Sequence, residues 1–307
     1  MGPSRLWAIQ PTKLLPRRVD RHVDERAARA VTRAAAKLGF TDPLLWVNDP
    51  AGASAVEMTG WRALYDITDD WLEAERTPAE HERLVRDEAT LMRLCKEVVV
   101  CSPSLARTKG SIRPVTLIPN AVDVDAYRRL RARPRDLPSG PVALYVGTVH
   151  TDRIDLDLCV ATASAIRGRG CLVLLGPAPL SPSDDERLAK AGVILLGAKD
   201  RDDVPAYLQH ADVLVVPHVL TPFTESLDPI KLYEYRVVGR PVVSTPVAGF
   251  RDLADRGVVV SSGREFVADV ARFLPAPWAF PEHVANDVPT WRERISRMGE
   301  VLSRVSQ

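Results

Sequence analysis

The segment from Ala211 to Pro246, ADVLVVPHVLTPFTESLDPIKLYEYRVVGRPVVSTP, reads as strand, loop, helix and strand. Asp212 to Val216 is a short, nearly continuous apolar run, as a parallel strand covered on both faces requires. A proline-bearing loop follows. Asp228 and Pro229 then open a helix, with Asp as the N-cap and Pro at the first helical position. Gly239 and Pro241 close it, where a C′ glycine and a trailing proline belong, and Val242 and Val243 begin the next buried strand.

Within that helix Ile230, Tyr233 and Val237 recur at i, i+3 and i+7 and are expected on the sheet, while Lys231 and Glu234 share another face. Lys231 is misplaced for helix stability. The first turn carries partial positive charge, so a cation there costs a few tenths of a kcal/mol unless something anionic binds. Free amides, dipole and ammonium together make a phosphate site. Glu234, one turn deeper, can accept two hydrogen bonds from a ribose diol. The competing reading is a solvated Lys–Glu pair worth about 0.3 kcal/mol, and the local sequence leaves both open.

Working outward, the same alternation fills the chain. The first half predicts strands at Leu6–Ile9, Leu44–Val47, Ala63–Ile67, Glu97–Cys101 and Val115–Ile118. Helices are expected between them at Val19–Leu38, Ala51–Met58, Pro78–Lys96 and, capped by Ser102, up to Lys109. A charge-rich stretch with several prolines, residues 128–140, reads as a linker. The alternation restarts with strands Val142–Val146, Leu172–Leu175, Val193–Leu196, the opening segment and Val258–Val260. Its helices are Leu156–Arg167, Asp184–Ala191, Val204–His210 and Arg251–Arg256. Strands separated by helices imply right-handed crossovers and parallel sheets, hence an α/β chain of two Rossmann-like domains, 1–127 and 141–275. Residues 276–307 end in an amphipathic helix, Pro289–Val305, with Trp291, Ile295, Met298 and Leu302 on one stripe.

Composition bounds the function without naming it. With 307 residues, 46% hydrophobic and 26% charged, the chain can hold two modest cores. A net charge of +1 provides no field for nucleic acid or an anionic membrane surface, so no nucleic-acid partner is expected. Cys95, Cys101, Cys159 and Cys171 lie in or beside apolar stretches with no paired spacing, as buried thiols do in a reducing compartment. No apolar run approaches the roughly 20 residues of a membrane span, and Met1–Leu15 lacks a secretory apolar core. A cytoplasmic protein with no transmembrane segment is expected.

Ligands of open α/β sheets bind at the carboxyl ends of the strands. In the second half this selects Gly147 and Thr148, Gly176 and Pro177, Gly197 and Ala198, and the loop Pro217–Asp228. Gly147 could let backbone approach a diphosphate or simply make a tight turn. Arg153 could clamp a phosphate, since guanidinium is a bidentate oxyanion partner, or lie on the surface. Asp155 and Asp157, like Asp123 and Asp125, form a D-x-D, but both pairs start helices, where Asp caps, so no metal site is assigned to them. His210 and His218 flank a strand without metal-ligand spacing and read as structural, and His150 reads as a loop histidine in solvent. In the first half Asp66, Asp69 and Asp70 crowd one strand end. Burying three like charges is expensive, so they are expected to face water in a cleft or cap the next helix.

At this point the residues carry a resemblance. P-I-K-L-Y-E-Y-R-V-V-G-R-P-V-V at 229–243 resembles the donor-binding segment of bacterial GT-B glycosyltransferases of family four, glycosyl transferases group 1, the retaining class that uses nucleotide sugars. Four other stretches match in order: Y-D-I-T-D-D-W at 65–71, V-V-C-S-P-S-L-A at 99–106, L-I-P-N-A-V-D at 117–123 and Y-V-G-T at 145–148. The resemblance covers most of the chain from about Asp42 onwards. It implies a GT-B fold, two Rossmann-like domains facing a central cleft, with residues 1–127 as the acceptor side and 141–275 binding the donor. The acceptor side looks shortened, because Met1–Arg18 holds no recognisable extra strand or glycine loop, and the last helix is expected to cross back onto it.

The implied reaction moves a hexosyl group from a nucleoside diphosphate sugar to a small-molecule or lipid-linked glycan acceptor, with retention. The nucleotide sugar is a co-substrate, and no cofactor or metal is expected. Lys231 and Arg153 would stabilise the departing diphosphate and Asp69 would act on the acceptor hydroxyl. Gly147, Thr148, Gly176 and Gly197 would meet the donor, with Gly197 near the base and Glu234 on the ribose. The family separates two glutamates by seven residues, which puts the first at Ser226. The glutamate here is its neighbour Glu225, so the turn Glu225, Ser226, Leu227 is the expected contact. Two other classes use the same features: a GT-B nucleotide-sugar epimerase, and a non-catalytic auxiliary partner of a transferase.

Overall fold

The computed structural model describes residues 6–11, 19–20, 22–253, 257–274 and 287–307. They divide into two compact units, one running up to Ile118 and including Ser296–Gln307, the other spanning Pro119–Ile295.

Unit 1 runs α1 (Val23–Lys37), β1 (Leu45–Val47), a 3₁₀ turn at Pro50–Gly52, α2 (Ala53–Thr59), β2 (Ala63–Ile67), α3 (Pro78–Leu94), β3 (Glu97–Val100), α4 (Pro103–Gly110) and β4 (Thr116–Leu117). The four strands lie side by side in chain order, all parallel. Every residue of β2 is buried, as its apolar sequence ALYDI requires apart from Asp66. α3 begins with a capping box between Thr77 and Glu80 and with Pro78 at its first position. Its far end is closed by Arg113, which donates to the carbonyls of Met92 at 2.8 Å and Cys95 at 2.7 Å. Among the described residues the expected strand Leu6–Ile9 is absent from the sheet, and Leu6 is 94% exposed.

Unit 2 continues with α5 (Val124–Arg128), β5 (Val142–Val146), α6 (Leu156–Ile166), β6 (Cys171–Leu175), α7 (Pro182–Ala191), β7 (Ile194–Gly197), α8 (Val204–His210), β8 (Val213–Val216), α9 (Pro222–Glu225), α10 (Ile230–Val238), β9 (Val242–Ser244), β10 (Val258–Val260) and α11 (Gly263–Phe273). The sheet order is β7-β6-β5-β8-β9-β10, all parallel, so the winding reverses between β5 and β8. This is the dinucleotide-fold order 3-2-1-4-5-6, and its crevice opens where the order reverses. Core side chains cover the sheet on both faces. Arg251, Asp252 and Leu253 make a turn in place of the expected helix, whose remaining residues 254–256 lie outside the described ones.

Residues 128–140 are laid onto unit 2 and do not hang free as a linker. Gln209 in α8 donates to the carbonyls of Tyr127 and Arg129, and the buried Leu137 joins the core. Asp136 accepts from Tyr207 and pairs with Lys199, each at 2.6 Å. A final helix, α12 (Trp291–Ser306), packs Met298, Val301 and Val305 against Leu64, Val99 and Ile118 of unit 1. The buried stripe is thus i, i+3, i+7 from Met298, and Ile295, expected on it, is 68% exposed.

Candidate functional site

Two loops meet at the carboxyl ends of β5 and β8, where the winding reverses. An isolated antiparallel bridge joins Ile154 to His218, and the backbone nitrogens of Asp155 and Val219 donate to Pro217 and Arg153. This lacing brings Arg153 and His218 into one neighbourhood. Arg153 lies over the ring of Phe223 at 4.9 Å. Thr245, at the end of β9, donates to the carbonyls of Val216 and His218 and fixes the second loop from below.

Lys231 turns inward. Its residue is half-buried, but the amine is enclosed, 2.9 Å from the Tyr145 hydroxyl, 3.3 Å from His218 Nε2 and 4.2 Å from the centre of the Tyr145 ring. Burial pushes its pKa from 10.5 down to about 7, helped by Arg153, while Glu234 opposes the shift. The same burial, with Lys231 and Arg153, holds His218 well below the ordinary imidazole range, so the ring is neutral at pH 7. The solvated Lys–Glu pair is therefore not what this face makes. Ile230, read as core, is instead 40% exposed, and Leu232, Tyr233, Tyr235, Val237 and Val238 are the buried side.

The helix start also differs from expectation. α10 begins at Ile230 with Pro229 in the cap position and no side-chain cap. Asp228 is drawn elsewhere, accepting from the Asn120 backbone N–H and the Tyr233 hydroxyl, both at 2.6 Å. Among the described residues no side chain caps this helix start.

Gly147 and Gly176 are needed here. Both have φ of 144°, closed to most side chains. A Cβ on Gly147 would stand 3.0 Å from Lys231 Nζ and 2.8 Å from the Tyr145 hydroxyl; one on Gly176 would meet the Gly147 carbonyl oxygen at 2.2 Å. Gly176 donates to Gly197, so the three glycines form a connected rim, with the half-buried Thr148 next to it.

Glu234 accepts a 2.5 Å hydrogen bond from Tyr127. Burial raises its pKa, while Tyr127, Lys231 and Arg201 favour the charged form. The turn expected to supply the first acid is otherwise engaged: Glu225 pairs with Arg251 at 2.8 Å, and Ser226, buried, donates to Phe223. Leu227 is half-buried. Asp123 and Asp155 cap α5 and α6. Among the described residues no group of three or more His, Cys, Asp or Glu could hold a metal ion, and no helix is long and apolar enough to cross a membrane.

Unit 1 corrects the reading of its aspartates. Asp70 is buried in an ion pair with Lys109 at 2.9 Å, and Lys109 also holds buried Glu88 at 2.7 Å. Asp66, also buried, accepts from Trp46 and Asn48. Neither faces water or caps a helix, because partners from α4, β1 and the adjoining loop meet the charge. Asp69, in the same loop, is half-buried and accepts from Thr68. His150 is exposed.

Of the two side chains that frame the lysine, His218 reads from sequence as structural and Tyr145 only as the first residue of Y-V-G-T. A signal existed for His218: only Pro217 separates it from the end of β8. Tyr145 is the fourth residue of β5, and nothing local ties it to Lys231, 86 positions away.

The two parallel sheets, the second in dinucleotide-fold order, place the chain in the GT-B fold class. Residues 140–275, within unit 2, match the model of the family Glycosyl transferases group 1. A candidate teichuronic acid biosynthesis glycosyltransferase of Bacillus subtilis (strain 168), TuaH, is 23% identical over 217 residues, 66% of this chain and 55% of that protein, so the match spans about half the relative's length. Among solved structures, sucrose-phosphate synthase of Thermosynechococcus elongatus matches with a TM-score of 0.69 at 21% identity, over 96% of this chain and 81% of that one. Anabaena HepE in complex with UDP-glucose matches with a TM-score of 0.64 at 16% identity, over 90% and 81%.

Proposed function

We propose that this protein transfers a hexosyl group from a nucleoside diphosphate sugar to an acceptor hydroxyl, with retention at the anomeric carbon. The observation that carries the reading is Lys231, an enclosed amine that among the described residues bonds to neutral groups, at an uncapped helix N-terminus where the sheet winding reverses. A diphosphate there would supply the missing counter-charge. As the bond from the anomeric carbon to the diphosphate breaks, negative charge grows on the β-phosphate, and Lys231, Arg153 and the α10 amides would stabilise it in a site of low dielectric. Glu234 would accept from the ribose, Gly147 and Gly176 would let backbone approach the phosphates, and Asp69 would serve the acceptor hydroxyl. A nucleotide-sugar donor is the partner this site fits, and HepE with UDP-glucose makes UDP the first nucleotide to try.

The test is a thermal-shift panel of UDP, GDP, TDP and ADP on the full chain, followed by turnover with the matching sugar nucleotide. A nucleotide at about 100 times its Kd stabilises by about 2.7 kcal/mol. A chain that responds to none of the four, or a Lys231→Ala variant that turns over a confirmed donor at the wild-type rate, would refute the reading.

A further inference from the structure

Glu234 stands on α10 one turn beyond Lys231, and its carboxylate does not sit loose in the crevice. One oxygen receives the Tyr127 hydroxyl at 2.5 Å, at the short end for a bond to a carboxylate. Tyr127 is itself fixed: it is 5% exposed, its helix is capped by Asp123, and its carbonyl accepts from buried Gln209. A charge-assisted bond between two buried elements sets both the direction of the carboxylate and the oxygen left for a ligand.

We propose that Tyr127 is a positioning residue that aligns Glu234 to accept from a ribose hydroxyl, so that the pair selects a ribonucleotide donor over its 2′-deoxy counterpart. The inference rests on the donor-site reading above. A carboxylate oriented for a diol loses its partner when the 2′-hydroxyl is absent, and a buried acceptor left unmatched discriminates strongly. Phenylalanine would keep the packing of the ring but remove the donor. Glu234 would then turn more freely, and it would also protonate more readily. Its burial already raises the pKa, and of the groups facing it, Tyr127 from α5, Lys231 from its own helix and Arg201 from the segment before α8, the tyrosine gives the largest opposing effect.

The experiment measures the affinity of the full chain for UDP and GDP and for their 2′-deoxy forms, on wild type and Tyr127→Phe, between about pH 8 and about pH 5.5. The wild type is expected to prefer the ribonucleotide by roughly tenfold or more, and Tyr127→Phe to bring that preference below about threefold. The ratio of variant to wild-type ribonucleotide affinity should fall further as the pH drops, because the variant's Glu234 protonates first; titration of the phosphate cancels in that ratio. A merely structural tyrosine would give a ratio independent of pH. Should Tyr127→Phe fold poorly by circular dichroism, Glu234→Gln serves instead and is expected to abolish the ribose preference. Binding with an unchanged ribo-to-deoxy ratio in the variants overturns this inference alone. A wild type that binds neither is measured with ADP and TDP and their deoxy or ribo counterparts, and failure to bind any of the four overturns the donor-site reading, and this inference with it.

Discussion

Among the described residues each unit buries one lysine amine, and the two are solved in opposite ways. Lys109 in unit 1 meets two carboxylates, Asp70 at 2.9 Å and Glu88 at 2.7 Å, and their contacts raise its pKa despite burial. Lys231 in unit 2 meets a phenol and a neutral imidazole, and burial drives its pKa down to about 7. A buried cation bonded to its counter-charge is part of the architecture, whereas one bonded to neutral groups is the feature on which the proposed donor site rests. The lesson is that burial of a charge says little until its partners are counted.

The comparison breaks most readily at Lys109. Lys109→Met would leave Asp70 and Glu88 buried together with no cation, and should cost about 3 to 5 kcal/mol in chemical denaturation. A loss below about 1 kcal/mol would mean that water reaches the carboxylates. Lys231→Met should act in the other direction on the ligand-free protein, stabilising it by about 1 to 3 kcal/mol near pH 7.5, since an uncompensated buried amine is replaced by an apolar chain of similar length.

The pH dependence of ligand-free stability sharpens the contrast. Folded Lys231 titrates near 7 and the unfolded chain near 10.5. Between these values the unfolded state holds more protons, so stability should rise with pH. Lys109, with a raised pKa, contributes stability that is complete below 10.5 and lost only above, so it adds no slope there. Melting temperatures of wild type and Lys231→Met from about pH 7 to about pH 10 should show the slope in the first and its loss in the second. The smallest effect belongs to Glu225, half-exposed and paired with Arg251. Glu225→Gln should change stability by less than about 1 kcal/mol and leave nucleotide affinity within about twofold. A tenfold loss of affinity would restore the role of first acid to this residue.

Much of unit 2 was legible in sequence because its signals are local. Apolar runs such as Val213–Val216 and Leu172–Leu175 leave little choice but buried parallel strands, and Asp123 and Asp155 cap the helices that follow them. Lys231 stood out because a cation in a first helical turn conflicts with the dipole. What failed was non-local. Asp228 looked like a cap until Asn120 and Tyr233 claimed its oxygens, and Asp70 looked solvent-bound until Lys109, 39 positions away, reached it. Tyr145 and His218 became neighbours of Lys231 only when β5 and β8 paired across the reversal of the sheet.

The central claim, the proposal that Lys231 meets a diphosphate, is tested most directly by UDP affinity against pH on wild type and Lys231→Met. Binding a diphosphate should draw a proton onto Lys231, so wild-type affinity is expected to be highest near pH 7 and to fall by about tenfold toward pH 9. Lys231→Met should bind roughly 10 to 100 times more weakly at pH 7 and show no fall over the same range. A variant that binds UDP as tightly as wild type across these pH values would contradict the account.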